Sequence, residues 1–188
     1  MGADDSMVDS DGVVRIGTVV FALIRPTPGH ELAFNHWYER DHYYTTGTAA
    51  PGVFSAGRFV QPETGWHLAL YFVLPGFDDA RVEFAGEQMG SAAAEDRLFE
   101  HREHLHTWAY DVESTEVGPD GVPLALALDH RYSEITVEMF DDDLSAGVGP
   151  AMTLRPRNRI MTSDWDADID PARRRTVVRF GPNAPATT

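Results

Sequence analysis

The sequence predicts an α+β protein, a β-α-β-β-α-β unit of the ferredoxin-like kind followed by a C-terminal β extension. Three observations carry that prediction. Apolar and β-branched residues concentrate in four short runs bounded by Pro, Gly and Asp, the mark of strands. Between the first and second runs, and again between the third and fourth, the periodicity changes from that of a strand to that of a helix. The third run is apolar at both parities, so it needs a cover on each face.

Taken in order, residues 1–14 are acidic, small and polar and read as a disordered leader before a domain over 15–118. Residues 16–25, IGTVVFALIR, form a strand that ends at Pro26. In the next segment Phe34, Trp37, Tyr38, Asp41, His42 and Thr45 share one face of a helix running from about 30 to 46. After Pro51-Gly52 come the strands 53–61 and 66–74, joined by a turn at 62–65. In 66–74, Trp66, Leu68, Leu70, Phe72 and Leu74 face one way, and His67, Ala69, Tyr71 and Val73 the other. Helices cover one face; the most economical second cover is a sheet from another subunit, so a homodimer is expected. Asp78 is placed to cap a helical stretch reaching about residue 105, broken in two by Gly86 and Gly90. HTWAYDVESTEV, 106–117, is the fourth strand. Pro119-Asp120-Gly121 marks a boundary, and 119–188 is expected to extend the sheet or pack on the dimer partner. There 123–140 and 173–180 look like strands, joined by 141–150 and an Arg-rich stretch, TLRPRNRIM.

Composition narrows the chemistry. The 188 residues hold 30 acidic and 15 basic side chains, a net charge of −15, which repels phosphate backbones and argues against a nucleic-acid partner. There is no cysteine, and every basic residue is arginine, so thiolate nucleophiles, Cys-held metals and lysine Schiff bases are excluded. Seven of the 15 arginines fall within 155–179, which suits self-association, internal docking or an anionic substrate. MGADDSMVDSDG lacks the basic flank and apolar core of a signal peptide, and the longest apolar stretches are too short to span a bilayer. The expectation is a cytoplasmic protein with no membrane partner.

The string FNHWYERDHYYTTGTAAPGVFSAGRF (34–59), followed by WHLALYFVLPG (66–76), resembles the dimeric α+β barrel superfamily, in particular its EthD-like members. The resemblance covers roughly residues 16–117. It implies two ferredoxin-like sheets packed across a dimer interface, with a pocket in each subunit between sheet and helices. The superfamily includes cofactor-independent monooxygenases, polyketide cyclases, isomerases, lyases and haem enzymes, so the site must decide the function.

His42 is the first candidate for catalysis. It resembles the helix histidine of that pattern, with Asp41 placed to orient it and His106 as the second histidine of the pocket. Tyr38, Trp37, Arg58, His67, Tyr71 and Trp108 are the candidate substrate-binding residues; Tyr38, Tyr71 or Arg58 would hold an oxyanion. His101 and His104 have i, i+3 spacing but lack a third ligand, and read as a solvated helix end. No phosphate loop, nucleophile elbow or dinucleotide fingerprint is present, and no metal or cofactor is expected. The expected function is cofactor-independent histidine acid–base catalysis on a small aromatic or polyketide-like metabolite, of the cyclase, isomerase or lyase type. The alternatives are a cofactor-free monooxygenase, a haem-binding barrel with an axial histidine, and a non-catalytic small-molecule-binding dimer.

Overall fold

The computed structural model describes residues 7, 8, 10, 12–116, 135–140, 151–161 and 175–180. Strand β1 (Thr18–Pro26) leads to α1 (Glu31–Trp37), which continues directly as a π-helical segment (Tyr38–Gly47). Strands β2 (Val53–Gln61) and β3 (Trp66–Val73), helix α2 (Asp78–Ala94) and strand β4 (Arg102–Glu116) follow. Strands β5 (Ile135–Phe140), β6 (Ala151–Met161) and β7 (Arg175–Phe180) complete the described elements. The strands form one antiparallel sheet in the order β2-β3-β1-β4-β6-β7-β5. This is a mixed α/β protein.

β1 is buried along most of its length because it carries apolar residues at both parities. Opposite residues in an antiparallel pair share a face. Val19↔Phe72 and Phe21↔Leu70 therefore lie on one side, and Val20↔Tyr71 and Ala22↔Ala69 on the other. On the first side a single apolar cluster draws residues from every strand, from Phe54 and Phe59 of β2 through Trp108 of β4 to Val178 of β7 and Val137 of β5. A cluster reached from all seven strands requires the sheet to curl around it into a nearly closed barrel. On the second side Val20, Ala22, Ile24 and Tyr71 pack against Phe34 and Tyr38 of the helical layer.

Four expectations are corrected here. The second cover of 66–74 comes from the same chain: Leu68, Leu70 and Phe72 are buried in the barrel by β4, β6 and β7, so the packing reason for a second subunit falls away. It does so because TLRPRNRIM is strand rather than connector, with Met152, Leu154 and Pro156 buried and Arg155 and Arg157 exposed between them. Register shifts against β4, one beside Pro156, accommodate a residue that has no N–H to give the ladder. Second, α2 runs unbroken through Gly86 and Gly90 and ends at Ala94, well short of residue 105. Third, its N-cap is Phe77; Asp78 stands in the first turn, where its charge suits the helix dipole and its Oδ2 accepts from Arg157 of β6. Fourth, β4 begins at Arg102 rather than 106. Within the expected leader, Val8 and Val14 form an antiparallel bridge; residues 1–6, the boundary at 119–121 and 123–134 lie outside the described residues.

Candidate functional site

Between the helix-side face of the sheet, the π-helical segment and α2 lies a cavity of about 530 Å³. Its floor is Val20, Ala22, Ile24 and Tyr71. One wall is the stripe Arg81, Val82, Ala85, Gly86 and Met89 of α2, which share a helix face by their spacing. Tyr38, His42, Thr46 and Gly47 close it from the π-helical segment, and Arg102, His104 and Thr107 from β4. Val82 and Ile160, both exposed, mark its mouth. Among the described residues no Asp or Glu lines it.

The π-helical segment sets the position of His42. In a π-helix residues five apart, rather than three or four, stack along one face. Trp37 and His42 obey that spacing, their rings stacked at 4.7 Å and 17°, as do Tyr38 and Tyr43 at 6.3 Å. The wider turn carries Asp41 round to the side, where its carboxylate takes two bonds from Nη1 of Arg97, at 2.7 and 2.8 Å, and one from Thr45. Asp41 is therefore committed to Arg97 and makes no hydrogen bond to His42. The His42 nitrogens have no hydrogen-bond partner among the described residues; Trp37, anchored through its indole N–H to the Arg97 carbonyl at 2.7 Å, fixes the ring from behind. Burial, then the charge of Arg102, pushes the His42 pKa down to about 4, against a smaller opposing pull from Asp41. At neutral pH the ring is an uncharged base facing the cavity.

A β-bulge brings in a second imidazole. Leu23 pairs with His106 but Ile24 with His104, so Leu105 is an extra residue and the parity of β4 changes. His104 and Thr107 thereby reach the cavity face. The Nε–H of Arg102 donates to Nε2 of His104 at 3.2 Å, so the proton of the neutral ring sits on Nδ1 and points at Thr107 Oγ1, 3.0 Å away. Burial and Arg102 lower the His104 pKa to about 4. On the floor, the hydroxyls of Tyr38 and Tyr71 meet at 2.6 Å. Burial pushes Tyr38 up to about 12 and Tyr71 well above the phenol range, so both stay protonated. One hydroxyl proton joins the pair; the other is free to reach a ligand. A Cβ on Gly47 would overlap the Tyr71 ring, so the close approach of the π-helical segment to the floor requires glycine there.

Of the residues expected from the sequence, His42, Tyr38 and Tyr71 line the cavity, and Trp37 backs it. Arg58 does not reach it. Paired with Ala69, it points beneath α1, where it bonds Asn35, Glu39 at 3.2 Å and Nδ1 of His67 at 2.9 Å, its charge 4.7 Å over the Tyr38 ring. His67 is held there against Phe34 at 5.0 Å, its pKa lowered to about 4 by burial and by Arg58. His106 and Trp108 lie on the barrel side, stacked on one another at 5.1 Å. His101 stacks on His30, away from His104. The residues the sequence reading missed are Arg81, Arg102 and His104. The α2 stripe gave a signal for Arg81, one arginine among small and apolar residues; a bulge leaves no mark in the sequence for His104.

Among the described residues no three His, Asp or Glu side chains converge as a metal site, and no helix is long and apolar enough to cross a membrane. No family model, no curated protein and no solved structure matches this chain.

Proposed function

We propose that the chain is a cofactor-independent enzyme that uses His42 as a general base on a small, largely apolar or aromatic metabolite, of the cyclase, isomerase or lyase type. The observation that carries this reading is His42 itself: an uncharged imidazole, braced by Trp37, with both nitrogens unclaimed by the protein and open to an apolar cavity. A structural histidine in a core has its nitrogens satisfied. In this reading His42 takes a proton from a carbon acid or hydroxyl of the substrate. The uncommitted hydroxyl proton of the Tyr38–Tyr71 pair donates to the oxygen on which charge develops, and the His42 imidazolium so formed returns its proton to the product.

The fold belongs to the same proposal. The order β-α-β-β-α-β of the first six elements and the strand order β2-β3-β1-β4 support a ferredoxin-like unit and the resemblance to the α+β barrels. In this chain β5, β6 and β7 supply the second half of the barrel that a partner sheet supplies in a dimer, and a homodimer would be held through another surface.

Deuterium wash-in tests the chemistry without knowledge of the full reaction. The protein is incubated in D₂O with a panel of aryl ketones and aryl β-diketones, and exchange of the acidic C–H is followed by NMR. Exchange above the buffer rate, lost by about 10²–10⁴-fold in His42→Ala with the melting temperature nearly unchanged, is expected. Exchange indifferent to His42, or absent across the panel while ligands bind, contradicts the proposal and leaves a binding protein.

A further inference from the structure

Six arginines of the described chain, Arg25, Arg58, Arg97, Arg155, Arg157 and Arg179, each have a carboxylate within 4.0 Å. Two that face the cavity do not. Arg81 is 7% exposed, yet its guanidinium makes no hydrogen bond or ion pair with any described residue, and its Nε is buried without a partner. Asp78, one turn earlier, attracts it without forming an ion pair: its Oδ2 is taken by Arg157, whose own charge opposes Arg81, and its Oδ1 is buried with no hydrogen-bond partner. Arg102 gives its Nε–H to His104 and lays its guanidinium over Trp37 at 4.8 Å, leaving its other donors unclaimed by any carboxylate.

The chain has two acidic residues for every basic one, and still, among the described residues, none lines the cavity. Burying a cation without a counter-ion is costly, and a fold retains such a group where something outside the chain completes it. The neighbouring His42 and His104, neutral or cationic, cannot serve as that counter-ion in either form. Apart from the hydroxyls of Tyr38, Tyr71, Thr46 and Thr107, the rest of the lining, Val20, Ala22, Ile24, Ala85 and Met89 among it, is apolar.

We propose that the cavity takes an apolar acid, its hydrocarbon or aryl body against the floor and α2 and its carboxylate held by Arg81 and Arg102. The proposal rests on the cavity assigned above as the reaction site, and it names the class of substrate that site accepts. Guanidinium donors in a partly dehydrated cavity bind a carboxylate through short, charge-assisted bonds. Bound there, the anion also offsets the Arg102 charge that bears on His42, so binding makes the base stronger.

The test compares 2-naphthoate with 2-naphthamide, which share a shape and differ in charge, by calorimetry on the full chain at low salt. The acid is expected to bind about 10- to 100-fold more tightly than the amide, the worth of charge-assisted bonds. Arg81→Met and Arg102→Met should each remove about that preference and leave the weak amide binding intact, while Arg155→Met, on the barrel's outer surface, should change neither. Acetate and inorganic phosphate should bind far more weakly than the naphthoate. Equal affinity for acid and amide overturns the proposal, as does failure of both to bind, or acetate binding as tightly as naphthoate. The acid–amide comparison uses the unaltered protein, so it stands even if a variant fails to fold. Naphthoate binding without any deuterium exchange would sustain the anion site and sink the catalytic reading alone.

Discussion

On the barrel side of the sheet, the Tyr110 hydroxyl accepts from Thr176 at 3.4 Å and shares a hydrogen bond with Nε2 of His106 at 2.6 Å, and the imidazole is sandwiched by Trp108 and the edge of Phe21. On the helix side His42 is stacked on Trp37, and neither its nitrogens nor the Arg81 guanidinium have a hydrogen bond or ion pair among the described residues. The same kind of side chain is satisfied on one face and left open on the other. Polar groups in a packed core find partners because an unpaired one costs stability. The barrel-side histidine obeys that rule; on the helix side His42 and Arg81 depart from it at the cavity, and the Nε of Arg58, beneath α1, does so away from it.

The largest effect that separates the two faces is on stability. Trp108→Ala, deep in the barrel cluster, should cost about 3–5 kcal/mol in denaturant unfolding. Arg81→Met should move the other way, raising stability by on the order of 1 kcal/mol, because it removes a buried cation that lacks a counter-ion. A destabilised Arg81→Met protein would mean that the arginine is already paid for inside the fold and that the faces do not differ in this way.

A smaller effect appears in acid. Folding lowers His42, His67 and His104 from the ordinary histidine value to about 4, burial being the first cause for each. Between about pH 6.5 and 4 the unfolded chain therefore binds more protons than the folded one, and stability falls as pH drops through that window. All three lie on the helix side. Replacing His42 and His104 together by Gln should flatten the loss measured by urea unfolding at pH 7 and pH 5. An unchanged slope would show that these rings are not buried neutral.

How far the sequence reaches depends on how far its periodicity survives in the backbone. β1 and β3 pair without a register shift, as β2 does from Ser55 onward, and their ranges and faces follow from the alternation. The aromatic helix was legible as far as Trp37. Beyond it the π-helical turn replaces the spacing of 3.6, which is why Asp41, one residue from His42, ends on Arg97 rather than beside the ring. In β4 the extra residue brings His104, rather than Leu105, to the cavity face while His106, opposite Leu23, stays on the barrel side, so the reading of a second pocket histidine chose the wrong neighbour. β6 was hidden for a different reason. Arg and Pro in TLRPRNRIM suggest a connector, yet from Leu154 to Arg157 buried and exposed residues alternate as a strand does. Departures of one residue, a wide turn or a bulge, decide which groups meet at the site, and composition does not record them.

The account stands most directly on the state of His42. Its ring titration can be followed by two-dimensional NMR of labelled protein, with His42→Gln to assign the signal, first alone and then with saturating 2-naphthoate. The account predicts a midpoint near 4 in the free protein, moving upward when the carboxylate offsets Arg102. A midpoint at the ordinary value near 6.5, unmoved by the ligand, would contradict it.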